Sequence, residues 1–289
     1  MIDSAGVRIK KRGQGRDIWR RLCKNRLAVF GMIVLALIVL LAIFANVVAP
    51  YPYELQDYSA AFQFPSWAHP FGTDNYGRDI LSRVIYGTRI SLQIGLISLS
   101  GGALIGCLLG AIAGYFGGGL DTFIMRVNDV LMSIPKTILA IAIATTLGPG
   151  LVNAMIAVSI SSVPTFARVV RASTLTVKDQ EYVEAAHAIG CSSARIIGRY
   201  IFPNVMAPII VQSTLGVGTA IILAASLSFL GLGIQPPTPE WGAMLSAARG
   251  FMREQWYMVL FPGLAIVVTV LALNLFGDGL RDALDPKLK

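Results

Sequence analysis

The dipeptide Gly-Lys never occurs in this 289-residue chain, so it has no phosphate-cradling loop of the G-x-x-x-x-G-K-[ST] type. Only two histidines are present, His69 and His187, and they stand far apart. They offer neither a metal cluster nor a catalytic dyad, and no metal ligand or catalytic residue is assigned. His69 reads as an interfacial or loop histidine. Cysteine is scarce as well: Cys23, Cys107 and Cys191 are odd in number, none is placed outside the cell, and no disulfide is expected. Charge is the largest deficit. Asp, Glu, Lys and Arg make up 14% of residues, against about 25% in soluble domains. Apolar residues make up 55% and mean hydropathy is +0.66. Such a chain is built for lipid rather than for a water-facing globule.

What is present bears this out. No Asp, Glu, Lys or Arg falls in residues 27–49, 92–116, 137–167, 205–234 or 255–277. At 1.5 Å per residue each block is long enough to cross a hydrocarbon core of ~30 Å. Backbone in lipid satisfies its own hydrogen bonds, so these blocks are helices. The block 137–167 exceeds one span, and LGPG at 147–150 breaks it. Six transmembrane helices result, in an all-α polytopic membrane protein. The third span also draws on 130–136, with Pro135 and Lys136 near the membrane surface.

Lys and Arg set the orientation. With the N-terminus inside, segments 1–26, 117–136, 168–204 and 278–289 carry 9, 2, 5 and 3 of them, while external segments 50–91 and 235–254 carry 3 and 2. The net charge of +8 is thus a topology signal, and anionic lipid takes up the remainder. It requires no nucleic acid. The first apolar run is too long for a cleavable signal. Domains divide accordingly: a cytoplasmic amphipathic arm (1–26), the first span with an external segment (27–91), a core of five spans (92–278) and a cytoplasmic tail (279–289). In the arm, Ile18, Trp19, Leu22 and Leu27 share one face, as in an interfacial helix. In the tail, Arg281 and Asp285 are spaced i, i+4, and Pro286 ends the helix.

The spans carry no acid or base of the kind that ion-coupled carriers place at mid-membrane. Either the chain is passive, or its energy comes from another polypeptide. The longest internal cytoplasmic segment offers a handle for such a partner. Asp179 can cap a helix whose first turn holds Glu181 and Glu184. Ala185, Ala186 and Ala188 favour helix without bulk, and Gly190 can stop it. Ser192 or Ser193 can start a second helix running to Ile201, with Pro203 ending it. Two short helices with a bend need a surface to dock on; a loop lying at the membrane surface is the alternative.

Glu184-Ala185-Ala186, Gly190 and Pro203 fall at the spacing of the EAA motif of ABC importer permeases, although Tyr200 and Phe202 stand where the motif has Ile and Leu. HPFGTDNYGRDILSRVIYGTRISL (69–92), SFLGLGIQPPTPEWGAML (228–245) and NLFGDGLRDALDPKLK (274–289) resemble the C-type permease of the dipeptide, oligopeptide and nickel importer family. The resemblance implies a bacterial plasma (inner) membrane protein with both termini cytoplasmic, and a type I importer permease fold with a coupling segment at 179–202. In that family this segment enters a cleft of an ATPase subunit; Glu181, Glu184, Ala185, Ala186, His187 and Gly190 would then carry coupling. The resemblance also implies partners: a homologous second permease in a heterodimer, two ABC ATPases that bind ATP and Mg, and an extracytoplasmic binding protein. This chain itself would hold no cofactor and would not be an enzyme. Cargo would be di- or oligopeptides, with nickel complexes or glutathione-like solutes as alternatives. A stand-alone channel or carrier and a non-transporting scaffold are the readings outside the family.

Three further stretches carry structural expectations. Gly102, Gly106, Gly110 and Gly114 make a small-residue face, directed either at this chain's own bundle or at a partner permease. Gly72, Gly77, Asp74, Arg78, Asp79 and Arg83 form a charged segment before the second span, with Asp79 and Arg83 spaced for an i, i+4 pair. It reads as a solvated anchor, an external end of the pathway or a contact with the second permease. QPPTPEWG (235–242) is rigid and external, either a connector, a plug or a surface for the binding protein. Trp241, Trp256 and Tyr257 fit an interfacial belt. Asn153, Ser159, Ser161, Ser162, Gln212, Ser213, Thr214, Ser226 and Ser228 are the polar candidates for a pathway lining.

Overall fold

A computed structural model describes residues 14–284. The described chain is helical, without a named strand. A short helix α1 (Gln14–Leu22) leads into α2 (Arg26–Ile43), capped by the Asn25 side chain, which accepts from the Leu27 and Ala28 N–H groups. After the single turn α3 (Ala45–Val48), a long loop precedes α4 (Ile80–Phe116). Then follow α5 (Gly118–Ser133), α6 (Lys136–Leu147), α7 (Leu151–Val177), α8 (Glu181–Ala188), α9 (Ser193–Ile196), α10 (Met206–Phe229), α11 (Trp241–Ala248) and α12 (Tyr257–Leu284).

Helices α2, α4, α7, α10 and α12 are each long and apolar enough to span a membrane. The sixth span is not a straight helix. Helices α5 and α6 meet at an angle of 92°. Ile134 is extended there because Pro135 disfavours the helical region for the residue before it. Residues 130–133 belong to α5, so the span draws on 130–136 as expected, but through a bent pair and not through a longer α6. The LGPG break stands as expected: α6 ends at Leu147, and Gly148 and Gly150 both take positive φ.

Helix α4 begins twelve residues before its charge-free block and pairs with α7 along most of its length. Helix α10 crosses α4, α7 and α12, and α2 lies on α12. One apolar core joins α4, α7, α10 and the short helices α8 and α9. Helix α1 does not expose all its apolar residues to one surface. Ile18 and Leu22 pack on Phe276, Leu280 and Ala283 of α12, while Trp19 and Leu27 are exposed. Trp19 lies about 100° around α1 from Ile18 and so leaves the face that meets α12, whereas Leu27 belongs to α2, beyond the turn at Asn25. Asp285 and Pro286 lie outside the described residues.

Candidate functional site

The element expected to face the cytoplasm begins where α7 ends. Gln180, not Asp179, takes the extended N-cap position of α8, and its side chain turns back to the Thr176 carbonyl (3.3 Å). No side chain caps α8, so Glu181 and Glu184 near its start meet the exposed N–H groups through the helix dipole alone. The other end is fully tied. Gly190 has φ of +76°, its N–H donates to His187 O (2.9 Å), and Cys191 N–H donates to Ala186 O (3.0 Å). This double closure requires the left-handed residue that glycine supplies.

The second helix departs from the expected course to Ile201. Only one α turn forms, α9, followed by a π-helix at Ile197–Ile201 and a 3₁₀ turn at Phe202–Asn204. Ile196 and Ile201 are both fully buried. Their five-residue spacing returns to one face when hydrogen bonds run i to i+5. Tyr200 and Phe202 pack partly against the same core.

Helix α8 has two apolar sides. Val183 and Ala186 are buried against the bundle. Ala186 therefore faces its own chain, not an outside groove. Tyr182, Ala185 and Ile189 lie on another side and are exposed; Ile189 is 75% exposed. His187 points to the end of α4, with Nε2 3.0 Å from the Tyr115 hydroxyl. Sequence reasoning missed Tyr115, Tyr182 and Ile189. The spacing of Tyr182, Ala185 and Ile189, by three and then four residues, was the available signal.

The glycine face lies within this chain. A Cβ at Gly102 would meet Ser159 O at 2.6 Å, one at Gly106 would meet Val163 O at 2.6 Å, and one at Gly114 would meet the Thr174 Cβ at 2.8 Å. Gly110 is likewise closed off by the α7 backbone at Ala167 and Arg171. These glycines let α4 and α7 approach to backbone contact. Beyond the membrane end, Arg171 pairs with Asp121 on α5 (2.5 Å).

On the other face of the membrane, the charged segment is buried, not solvated. Asp74 accepts from Arg78 Nε at 2.6 Å, and Arg83 Nε stands 3.9 Å from the same carboxylate. The expected Asp79–Arg83 pair does not form. Asp79 caps α4, accepting from the Ser82 N–H and hydroxyl (both 2.7 Å), and lies 3.0 Å from His69 Nδ1. Arg83 donates instead to Tyr53 O (3.1 Å) and Pro237 O (3.3 Å), joining the loop before α4 to the loop before α11. Gly72 and Gly77 take positive φ where Gln63 O and Asp57 O crowd them.

Within QPPTPEWG, Glu240 is 1% exposed and caps α11, accepting from Gly242 N (2.9 Å) and Ala243 N (2.8 Å). Burial pushes its carboxyl above the usual carboxylate range, against the pull of those two N–H groups. Trp241 is buried against Gly87 and donates its indole N–H to Val84 O (3.1 Å). Tyr257 is buried too, its hydroxyl donating to Thr73 O (3.3 Å). These two aromatics are therefore core residues, and Trp256 alone of the three is half exposed. An aromatic beside a span can end in either place, because its ring and polar tip suit both.

The polar candidates do not converge. Ser159 donates to Ser98 O on α4, Ser161 and Ser162 donate to Val158 O of their own helix, and Asn153 fastens the carbonyls of Leu147 and Gly148. Thr214 donates to Ile210 O and Ser226 to Ile222 O. Gln212 and Ser213 are half-buried on α10, and Ser228 is buried. Of these residues, Ser226 lines an open apolar groove of about 370 Å³ between α10, α11 and α12.

Comparison with known proteins decides the family. A model described as the binding-protein-dependent transport system inner membrane component matches residues 106–289. The chain belongs to that family. A model for the N-terminal TM domain of oligopeptide transport permease C matches residues 13–65 of the same permease. The permease is 48% identical to the dipeptide transport system permease protein of Alkalihalophilus pseudofirmus, over 95% of this chain and 90% of that one. It is 50% identical to the glutathione transport system permease protein of Escherichia coli O157:H7, over 94% and 90%. It is 45% identical to the di/tripeptide transport system permease protein of Pseudomonas aeruginosa strain UCBPP-PA14, over 95% and 92%. Its fold is similar to a chain of the inward-facing MetNI methionine ABC transporter, with a TM-score of 0.60, 18% identity, and coverage of 71% of this chain and 98% of that one. The permease is thus a membrane-spanning component of an ABC importer.

Proposed function

We propose that this permease forms half of a translocation pathway for di- and oligopeptides in the bacterial plasma membrane, with both termini cytoplasmic. The second half is a homologous but distinct permease. Two ATPase subunits bind ATP and Mg, and an extracytoplasmic binding protein delivers cargo. The exposed Tyr182–Ala185–Ile189 face carries this reading. It is an apolar patch on a cytoplasmic helix of a chain with no nucleotide loop. Such a patch suits a groove in a motor subunit. Closure of the ATPases on ATP then moves α8, and the bundle exchanges its open side because each state binds nucleotide and cargo differently.

Short peptides are favoured as cargo because relatives named for dipeptide, di/tripeptide and glutathione transport all resemble the chain at similar identity. Glutathione, itself a peptide, is the second reading on the same ground. The test is uptake of a labelled dipeptide into proteoliposomes holding both permeases and the ATPases, with binding protein outside and ATP inside. Uptake is expected only when every component and ATP are present. Uptake by this chain alone would overturn the reading in favour of a channel. Excess glutathione that fails to compete would exclude the second cargo.

Orientation has its own measurement. In a variant lacking Cys23, Cys107 and Cys191, a cysteine placed at residue 180 is expected to react with an impermeant maleimide only from the cytoplasmic side. Labelling from outside would invert the arrangement.

A further inference from the structure

Helix α8 is held to the rest of the chain in two ways. Val183 and Ala186 seat it by apolar packing, which is non-directional and tolerates sliding. The other hold is directional. The Tyr115 hydroxyl and His187 Nε2 are 3.0 Å apart, and the two rings are parallel within 5° at a centroid distance of 5.8 Å. Among the described residues, no other side-chain hydrogen bond runs from α8 to a membrane-spanning helix. The bond forms whether the neutral ring accepts the phenol proton or the protonated ring donates to the phenol oxygen.

Tyr115 stands at the cytoplasmic end of α4, one residue beyond Gly114. Gly114 presses on Thr174 and the Arg171 carbonyl of α7, and Gly102, Gly106 and Gly110 continue that contact up the helix. Backbones in such contact cannot slide past one another without overlap. A displacement entering at Tyr115 is therefore delivered to α4 and α7 together. The π-helix at Ile197–Ile201, where the ladder of hydrogen bonds departs from the α pattern, touches both α8 and α4.

We propose that Tyr115 and His187 form a strut that carries displacement of α8 into the α4–α7 pair. They are positioning residues: neither belongs to the Tyr182–Ala185–Ile189 face. The inference rests on the reading of that face as the ATPase docking surface. It adds which contact conveys the motion inward.

The test uses the complete reconstituted importer, reading ATP hydrolysed per peptide imported beside capture of the ATPases. Tyr115→Phe keeps the ring and its stacking but deletes the hydroxyl. Capture is expected to match the unsubstituted protein, while the ATP-to-peptide ratio rises about three- to fivefold, the scale of one hydrogen bond. The exchange Tyr115→His with His187→Tyr places a donor and an acceptor opposite one another again, and is expected to bring the ratio back within about twofold of the original. An unchanged ratio in Tyr115→Phe overturns the strut. So does lost capture in that variant, since the pair would then shape the docking surface instead. Failure of the unsubstituted protein to capture any ATPase is a different result, and removes the docking reading itself.

Discussion

Ile189→Asp is expected to weaken capture of the ATPase subunits about thirtyfold or more, and to lower ATP-driven uptake in step. Ile189 is the C-cap residue of α8 and the most exposed side chain of its apolar patch. A branched aliphatic group left in water is a candidate anchor for a partner's pocket, where a few well-desolvated residues carry most binding energy. Aspartate there loses the apolar burial and brings a charge that must be desolvated without a partner. A carboxylate near the helix C-terminus also opposes the dipole. None of this disturbs the bundle, because Ile189 touches none of the core that holds Val183 and Ala186. Unfolding of the purified variant is therefore expected to match that of the unsubstituted chain, and Ile189→Leu is expected to retain capture within a fewfold. Kd for the ATPases, measured on the permease pair in nanodiscs, decides the matter. An unchanged Kd for Ile189→Asp would move the docking surface elsewhere on the chain.

The sequence located α8 but could not orient it. Helical period distinguishes an apolar side from a polar one. It does not distinguish a side facing the bundle from a side facing a partner. Val183 and Ala186 belong to the first, Tyr182, Ala185 and Ile189 to the second, and all five are small or apolar. The spans were legible for a simpler reason: a charge-free block of sufficient length has few alternatives in lipid. Their exception, the bent α5–α6 pair, turns on Pro135, which the sequence displayed but which reads equally as the start of a helix. Buried charge was the least legible feature. Asp74, Arg78, Asp79 and Arg83 look like a solvated run because burial of a charge depends on partners from distant segments, here Tyr53 and Pro237. Glu240 is a lone acid between prolines and a tryptophan in sequence, and only the fold makes it the cap of a buried helix.

Gly110→Leu is expected to be the most damaging single change in the membrane core. The Gly110 Cα faces Ala167 O, Arg171 N and the Val170 Cβ on α7, the last two within 3.0 Å of where a Cβ would stand. These are backbone and Cβ atoms, which no rotamer change can move aside. The helices must separate instead. Separation opens the contacts at Gly106 and Gly114 as well, since α4 is one continuous helix from Ile80 to Phe116. It also draws Arg171 away from Asp121 on α5. Overpacking a closed site costs about 1–3 kcal/mol in soluble cores, and the backbone character of these neighbours puts this position at or above the top of that range. The expected result is a large drop in the thermal unfolding temperature in detergent, with loss of monodisperse protein. Gly119→Leu serves as the comparison. Gly119 lies in the first turn of α5 with open space around it, so the same added side chain is expected to change stability by less than about 0.5 kcal/mol. If the two variants unfold alike, the α4–α7 contact is looser than described, and a strut ending at Tyr115 would have no rigid pair to push.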